Sequence, residues 1–215
     1  MIELVDDGRL SLHIPGSRLK PLCIDFLAGK LQHRRDYGGG LGQLIARAVG
    51  IKKLERPSVL DLTAGFGQDA FVLAYLGCDV TMVERSPIMA ALLEDALTRF
   101  YADAASDGIK LSLVQMDAII YLQQLVTQPQ VIYLDPMYPD TKNTALNKKE
   151  MQVLRDLVGD DVDAVEVFDL ALQTATHRVV VKRPRHGELL GDHKPDVVFE
   201  GKSSRFDVYL ANRKR

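Results

Sequence analysis

From residue 57 onward, short apolar runs rich in β-branched residues alternate with stretches of helical periodicity. That alternation leaves few architectures open. Strands separated by helix-length crossovers pair in parallel, and the helices then cover both faces of the sheet. The pattern predicts strands over 58–62, 79–83, 110–114, 131–134 and 178–183. Helices are predicted from Gln68 to Leu76, from Pro87 to Tyr101, over 117–126 and over 163–175; Pro87 falls in a first turn, where its missing N–H is tolerated. The habit then changes. Val197 to Phe199 and Phe206 to Leu210 flank the turn-like Glu200-Gly201-Lys202-Ser203-Ser204, so the sheet is expected to end in an antiparallel hairpin. The expected fold is α/β and Rossmann-like: a mostly parallel seven-stranded sheet with a terminal antiparallel hairpin and helices on both faces.

The chain's 215 residues suit one such domain, 57–215, preceded by an extension, 1–56, that is expected to pack over the cleft. Within that extension, a strand pair is expected around Leu10 to Ile14 and Leu22 to Phe26, with a helix from Leu41 to Val49 after Gly38-Gly39-Gly40. A hydrophobic fraction of 47%, a charged fraction of 26% and the lack of any apolar run of ~20 residues point to a soluble protein rather than a membrane one. The start, MIELVDDGRL, lacks the basic head and apolar run of a secretory signal. Cys23 and Cys78 sit among apolar residues and read as reduced thiols of a cytoplasmic protein. Without a Cys-x-x-Cys pair or ligand spacing among the histidines, no metal is expected.

The strand at 58–62 runs into Thr63-Ala64-Gly65-Phe66-Gly67-Gln68-Asp69-Ala70, a glycine turn opening directly into a helix. Glycine there permits a tight turn and close approach to a ligand, while the helix N-terminus offers unpaired N–H groups. Gly65-x-Gly67-x-x-Ala70 also satisfies the dinucleotide fingerprint, so the loop alone separates neither a nicotinamide enzyme from a methyltransferase nor either from a turn used only for packing. The next strand ends in Glu84, an acceptor for both hydroxyls of a ribose, followed by Arg85. The third leads to Asp117-Ala118, placed either to read an adenine edge or, for Asp117, to cap the helix that follows.

The fourth strand, Val131-Ile132-Tyr133-Leu134, exits through Asp135-Pro136-Met137-Tyr138-Pro139. This places a carboxylate, a carbonyl and an aromatic ring at the carboxyl edge of the sheet. Asp135 and the Pro136 carbonyl can accept hydrogen bonds from an exocyclic amino group while Tyr138 stacks on its base, and this is the arrangement amino-group methylation requires.

These residues resemble the Asp-Pro-Pro-Tyr N-methyltransferases, with Met137 replacing the second proline. With His33-Arg34-Arg35, Asp69-Ala70-Phe71-Val72-Leu73-Ala74 and Val179-Val180-Val181-Lys182-Arg183-Pro184, the chain from about residue 22 to residue 210 is similar to the J-type small-subunit ribosomal RNA guanine-N2 methyltransferases. The resemblance implies the class I methyltransferase fold and methyl transfer from S-adenosylmethionine to N2 of one guanosine in 16S ribosomal RNA, either naked or in the small ribosomal subunit. It places Gln68, Asp69, Glu84, Arg85, Asp117, Ala118 and Asp135 at the cofactor, beside Gly65 and Gly67 of the turn, while Asp135, Pro136 and Tyr138 of the strand exit are the expected catalytic residues. Gln68 departs from the family's frequent arginine, and Asp117-Ala118 from its serines.

The net charge of −2 does not mark a nucleic-acid binder by itself, but the basic residues are clustered. Under the methyltransferase reading, Arg34, Arg35, Lys142, Lys148, Lys149, Lys182, Arg183 and Arg185 hold RNA phosphates; under the plainer one they are solvated surface. The acidic group Asp156, Asp160, Asp161, Asp163, Glu166 and Asp169 reads as a solvated loop and helix start. Three competitors stay open: an adenine-N6 methyltransferase, a nicotinamide-dependent oxidoreductase, and an RNA-binding module without turnover.

Overall fold

A computed structural model describes residues 3–6, 8–13, 21–28, 40–137 and 161–211. Seven strands form the central sheet: β3 (Ser58–Asp61), β4 (Asp79–Glu84), β5 (Lys110–Gln115), β6 (Val131–Leu134), β7 (Arg178–Pro184), β8 (Val197–Glu200) and β9 (Ser204–Leu210). Their order across the sheet is β5-β4-β3-β6-β7-β9-β8. The first five are parallel, whereas β9 runs antiparallel between β7 and the edge strand β8. The expected hairpin is therefore present, and its second strand is the inner one.

Period-two alternation decides what each strand buries. Val59, Val131, Tyr133 and Val180 join one core with Phe71, Phe100 and Met82; Leu60, Ile132, Leu134, Val179 and Val181 join the other with Phe168 and Tyr209. Helices cover both faces: α2 (Gln68–Tyr75) and α3 (Pro87–Tyr101) contribute to the first core, α4 (Ala118–Gln124) and α5 (Ala164–Thr174) to the second. Pro87 opens α3 behind Ser86, whose side chain accepts the Met89 N–H. None of the described helices is long and apolar enough to cross a membrane.

Before the sheet come β1 (Glu3–Asp6), β2 (Leu10–His13) and α1 (Leu44–Val49). Here one expectation is corrected. The strand at 10–13 forms, but its ladder partner is β1, and Leu22 adds only a single bridge to Leu12. Leu12, Ile24 and Phe26 are buried in the same core as α2 and α3, with Phe26 stacked on Phe71 at 5.0 Å between ring centroids.

Candidate active site

Because β3 is flanked by β4 on one side and β6 on the other, the chain's path reverses there and a crevice opens beyond the carboxyl ends of those strands. A cavity of about 430 Å³ fills it, the size of a small-molecule site. Gly65, Gln68, Asp69, Glu84, Arg85, Asp117, Ala118, Asp135 and Pro136 all line this cavity. None of the described residues before Ser58 does.

The two glycines of the turn have different tasks. Gly65 (φ +52°) faces open space, since a Cβ there would meet nothing nearer than the Thr63 carbonyl oxygen at 3.8 Å. A ligand can therefore approach its backbone. Gly67, the N-cap of α2 at φ +67°, is not among the lining residues; a Cβ on it would come within 2.9 Å of Leu93 and 3.1 Å of Phe26. Its constraint is packing beneath the loop.

Glu84 braces the same turn. Its Oε2 accepts the Gly65 N–H at 3.0 Å and its Oε1 the Ser86 N–H at 2.8 Å. Burial raises its pKa, against the lowering effect of those two N–H groups. Each carboxylate oxygen retains acceptor capacity toward the cavity. Asp117 caps α4 by accepting the Ile119 and Ile120 N–H groups, and it also lines the cavity, so its two readings coexist.

Sequence reasoning missed Asp61, Thr63, Tyr133 and the inward role of Asp161 and Asp163. Asp61 ends β3 and is 2% exposed; its Oδ1 accepts the Thr63 N–H at 3.0 Å and the Thr63 hydroxyl at 3.3 Å. The Thr63 hydroxyl oxygen accepts the Asp135 N–H at 2.6 Å, tying the exit of β6 to the glycine turn. A charged residue closing an apolar strand just before a glycine turn was the available signal. Asp161 and Asp163, expected in a solvated loop, instead engage Arg85 at 2.6 and 3.1 Å, and Asp161 also accepts the Met137 N–H at 2.7 Å.

Two of the basic residues expected at phosphates are placed otherwise. Lys182 points into the cavity, 2.8 Å from both Asp69 and Asp135. Arg183 is 4% exposed, and a guanidinium so buried offers no surface to a phosphate. Both follow from their strand: successive residues of β7 point to opposite faces, and both faces are covered. Arg185 lies beyond β7 and is exposed beside Glu200 at 3.7 Å. Arg34, Arg35, Tyr138, Lys142, Lys148 and Lys149 lie outside the described residues.

Burial lifts the Asp61 pKa to about 7, and repulsion from Asp69 and Asp135 adds to the rise. A carboxyl whose folded pKa is raised contributes stability below its unfolded value, near 4, that is lost as pH rises toward 7. Asp61→Asn keeps the acceptor oxygen and removes the charge. It is expected to stabilise the protein by about 2 kcal/mol at pH 8, raising Tm by roughly 5 °C, and to give no gain near pH 4. Thermal melts at both pH values check this; a gain of equal size at both would refute the buried-charge account.

The lining side chains include seven carboxylates, Asp61, Asp69, Glu84, Asp117, Asp135, Asp161 and Asp163, against the cations Arg85 and Lys182. Such a surplus suits a ligand with a cationic centre, such as a sulfonium. The open backbone of Gly65 and the acceptors Glu84 and Asp117 suit the nucleoside end of S-adenosylmethionine. Among the described residues, no cluster of His, Cys, Asp and Glu could hold a metal ion.

Comparison with known proteins agrees with this geometry. Residues 2–211 match the family model described as "Putative SAM-dependent methyltransferase". Ribosomal RNA small subunit methyltransferase J of Coxiella burnetii is 58% identical over 204 residues, 94% of this chain and 80% of that protein. The Pseudomonas syringae pv. tomato protein of the same name is 50% identical over 97% of this chain and 78% of its own length. Among solved structures, a SAM-dependent methyltransferase from Neisseria gonorrhoeae superposes with a TM-score of 0.76 at 40% identity, covering 95% of this chain and 80% of that one. With its sheet order, its glycine turn and these relatives, the chain belongs to the family of S-adenosylmethionine-dependent methyltransferases that includes ribosomal RNA small subunit methyltransferase J.

Proposed function

We propose that this enzyme transfers a methyl group from S-adenosylmethionine to the exocyclic N2 of one guanosine in 16S ribosomal RNA, acting in the cytoplasm on the RNA or on the small ribosomal subunit. The observation that carries this reading is the position of Asp135, at the exit of β6, lining the cavity beside the glycine turn. In this reading Glu84 accepts the ribose hydroxyls, Asp117 and Ala118 meet the adenine edge, and Gln68 and Asp69 close the site from α2. When bound, S-adenosylmethionine supplies a methyl group already activated by its sulfonium.

The chain's own residues then have to position an amino nitrogen. Asp135 and the Pro136 carbonyl accept hydrogen bonds from the NH2 group, orienting its nitrogen, and Tyr138 stacks on the base. Methylation leaves the nitrogen with one proton too many, and the Asp135 carboxylate, hydrogen-bonded to it in this reading, can accept that proton and release it to solvent. The transition state has ammonium character, so a fixed carboxylate stabilises it electrostatically. On the RNA side, Arg185 and the basic residues Arg34, Arg35, Lys142, Lys148 and Lys149 are the proposed phosphate contacts.

The test is transfer of tritiated methyl to small ribosomal subunits lacking the modification, followed by nucleoside analysis. Label is expected in N2-methylguanosine. Label in N6-methyladenosine would assign the enzyme to adenine instead, and a protein that binds S-adenosylhomocysteine but labels neither would overturn the substrate.

A further inference from the structure

Lys182 was expected at the surface, and the register of the sheet explains why it is not. Leu134 pairs with Val181 in the parallel ladder of β6 and β7, so the next residue on each strand, Asp135 and Lys182, falls side by side at the carboxyl edge. Val180 and Tyr133 pair two rows earlier in the same alternation and belong to the core under α2. Lys182 therefore emerges on the α2 side, where Asp69 waits on the first turn of that helix. Its Nζ is 2.8 Å from Asp69 Oδ2 and 2.8 Å from Asp135 Oδ2, and the Tyr133 hydroxyl donates to Asp69 Oδ2 at 2.7 Å. One ammonium thus bridges two carboxylates contributed by different elements, with a phenol fixing that of Asp69.

Resting on the reading of Asp135 given above, we propose that Lys182 is a positioning residue for that carboxylate, holding one oxygen toward β7, leaving the other for the substrate amino group, and cancelling the repulsion from Asp69. The chemistry of the neighbours supports the assignment. Asp135 faces Lys182 from β7, Asp69 from α2, Asp61 from β3, Tyr133 on its own strand and Asp161 beyond residue 160, and Lys182 supplies the cation. Burial raises the Asp135 pKa, and the Lys182 ammonium 2.8 Å away opposes that rise while Asp69 adds to it. The two carboxylates in turn hold the ammonium charged, well above the usual lysine range. A lysine engaged twice in this way is a poor phosphate ligand, because an RNA contact would have to displace two short ion pairs.

The experiment compares unsubstituted enzyme, Lys182→Met, Lys182→Arg and Asp135→Ala in methyl transfer to small ribosomal subunits across the pH range, with RNA affinity measured at several salt concentrations. Lys182→Met is expected to lower kcat about 10- to 100-fold near neutral pH. Its acidic limb should move up by roughly one pH unit or more, so that activity recovers in alkali. RNA affinity and its salt slope should stay unchanged, and Lys182→Arg should restore the acidic limb. An unshifted limb in Lys182→Met, or a loss confined to RNA affinity with a flattened salt slope, overturns the proposal. Full activity of Asp135→Ala would instead overturn the role of Asp135 itself, so the two failures are distinct.

If Lys182→Met does not fold, the 15Nζ resonance of Lys182 in otherwise native protein decides. It is expected to report an ammonium to about pH 11 and to shift on Asp135→Asn. A resonance indifferent to that substitution overturns the proposal.

Discussion

Replacing Asp135 by alanine is expected to lower kcat for methyl transfer by about 10²- to 10³-fold, equivalent to roughly 3 to 4 kcal/mol of lost transition-state stabilisation. The reason is that neither Lys182 nor the carboxylate that shares this lysine can stand in for it. Lys182 has the wrong charge, and Asp69 is held by both Lys182 and the Tyr133 hydroxyl. The substitution leaves the Asp135 backbone N–H bonded to the Thr63 hydroxyl, so the exit of β6 keeps its place. Affinity for RNA and for S-adenosylhomocysteine should therefore change far less than kcat, a split that single-turnover kinetics and calorimetry measure separately. Asp135→Asn refines the result: it keeps an acceptor oxygen without the charge, so activity near that of the native enzyme would show that hydrogen bonding alone suffices. Equal losses in kcat and in cofactor affinity for Asp135→Ala would move the residue from catalysis to cofactor binding.

Gly67→Ala is expected to destabilise the fold by about 2 to 5 kcal/mol, while Gly65→Ala costs only about 1 to 2 kcal/mol. Both glycines have positive φ, at +67° and +52°, so each substitution carries the left-handed backbone penalty. The difference lies in what the new methyl meets. At Gly67 it approaches Leu93, Phe26 and Met82 at 2.9, 3.1 and 3.2 Å, all of them fully packed core side chains. At Gly65 it projects beside the cavity with no close neighbour. Thermal melts should thus place Gly67→Ala roughly 10 °C below the native protein. Calorimetry should show Gly65→Ala as the variant that loses S-adenosylhomocysteine affinity. A reversal, with Gly65→Ala the less stable and Gly67→Ala the weaker binder, would mean that the two glycines have been assigned to the wrong sides of the loop.

Much of the architecture was legible because it is local. The change from a period of two to a period of 3.6 marks β3 to α5, and the Gly65–Gly67 turn and the Asp135-Pro136 exit can be recognised without knowing what they face. What sequence could not supply was adjacency between distant strands. Lys182 reads as one of four basic residues within five positions, and only the pairing of β6 with β7 puts it beside Asp135. Arg183, its immediate neighbour, goes to the opposite face and is buried, so a cluster by sequence is not a cluster in space. Asp161 and Asp163 were likewise obscured by the acidic company they keep along the chain. The N-terminal pairing failed for a different reason. Several apolar segments there could pair equally well by hydrophobic pattern, and the tight hairpin across Gly8, at φ +94°, favours β1 with β2 over a longer return to Leu22. The Asp7-Gly8 dipeptide was a turn signal that went unused.

The hydrogen bond from Met137 to Asp161, with Arg85 held by the same carboxylate, joins the two ends of the segment 138–160 at its base. The fold in this way ties the strand exit that carries Asp135 to the approach of α5 through one shared carboxylate.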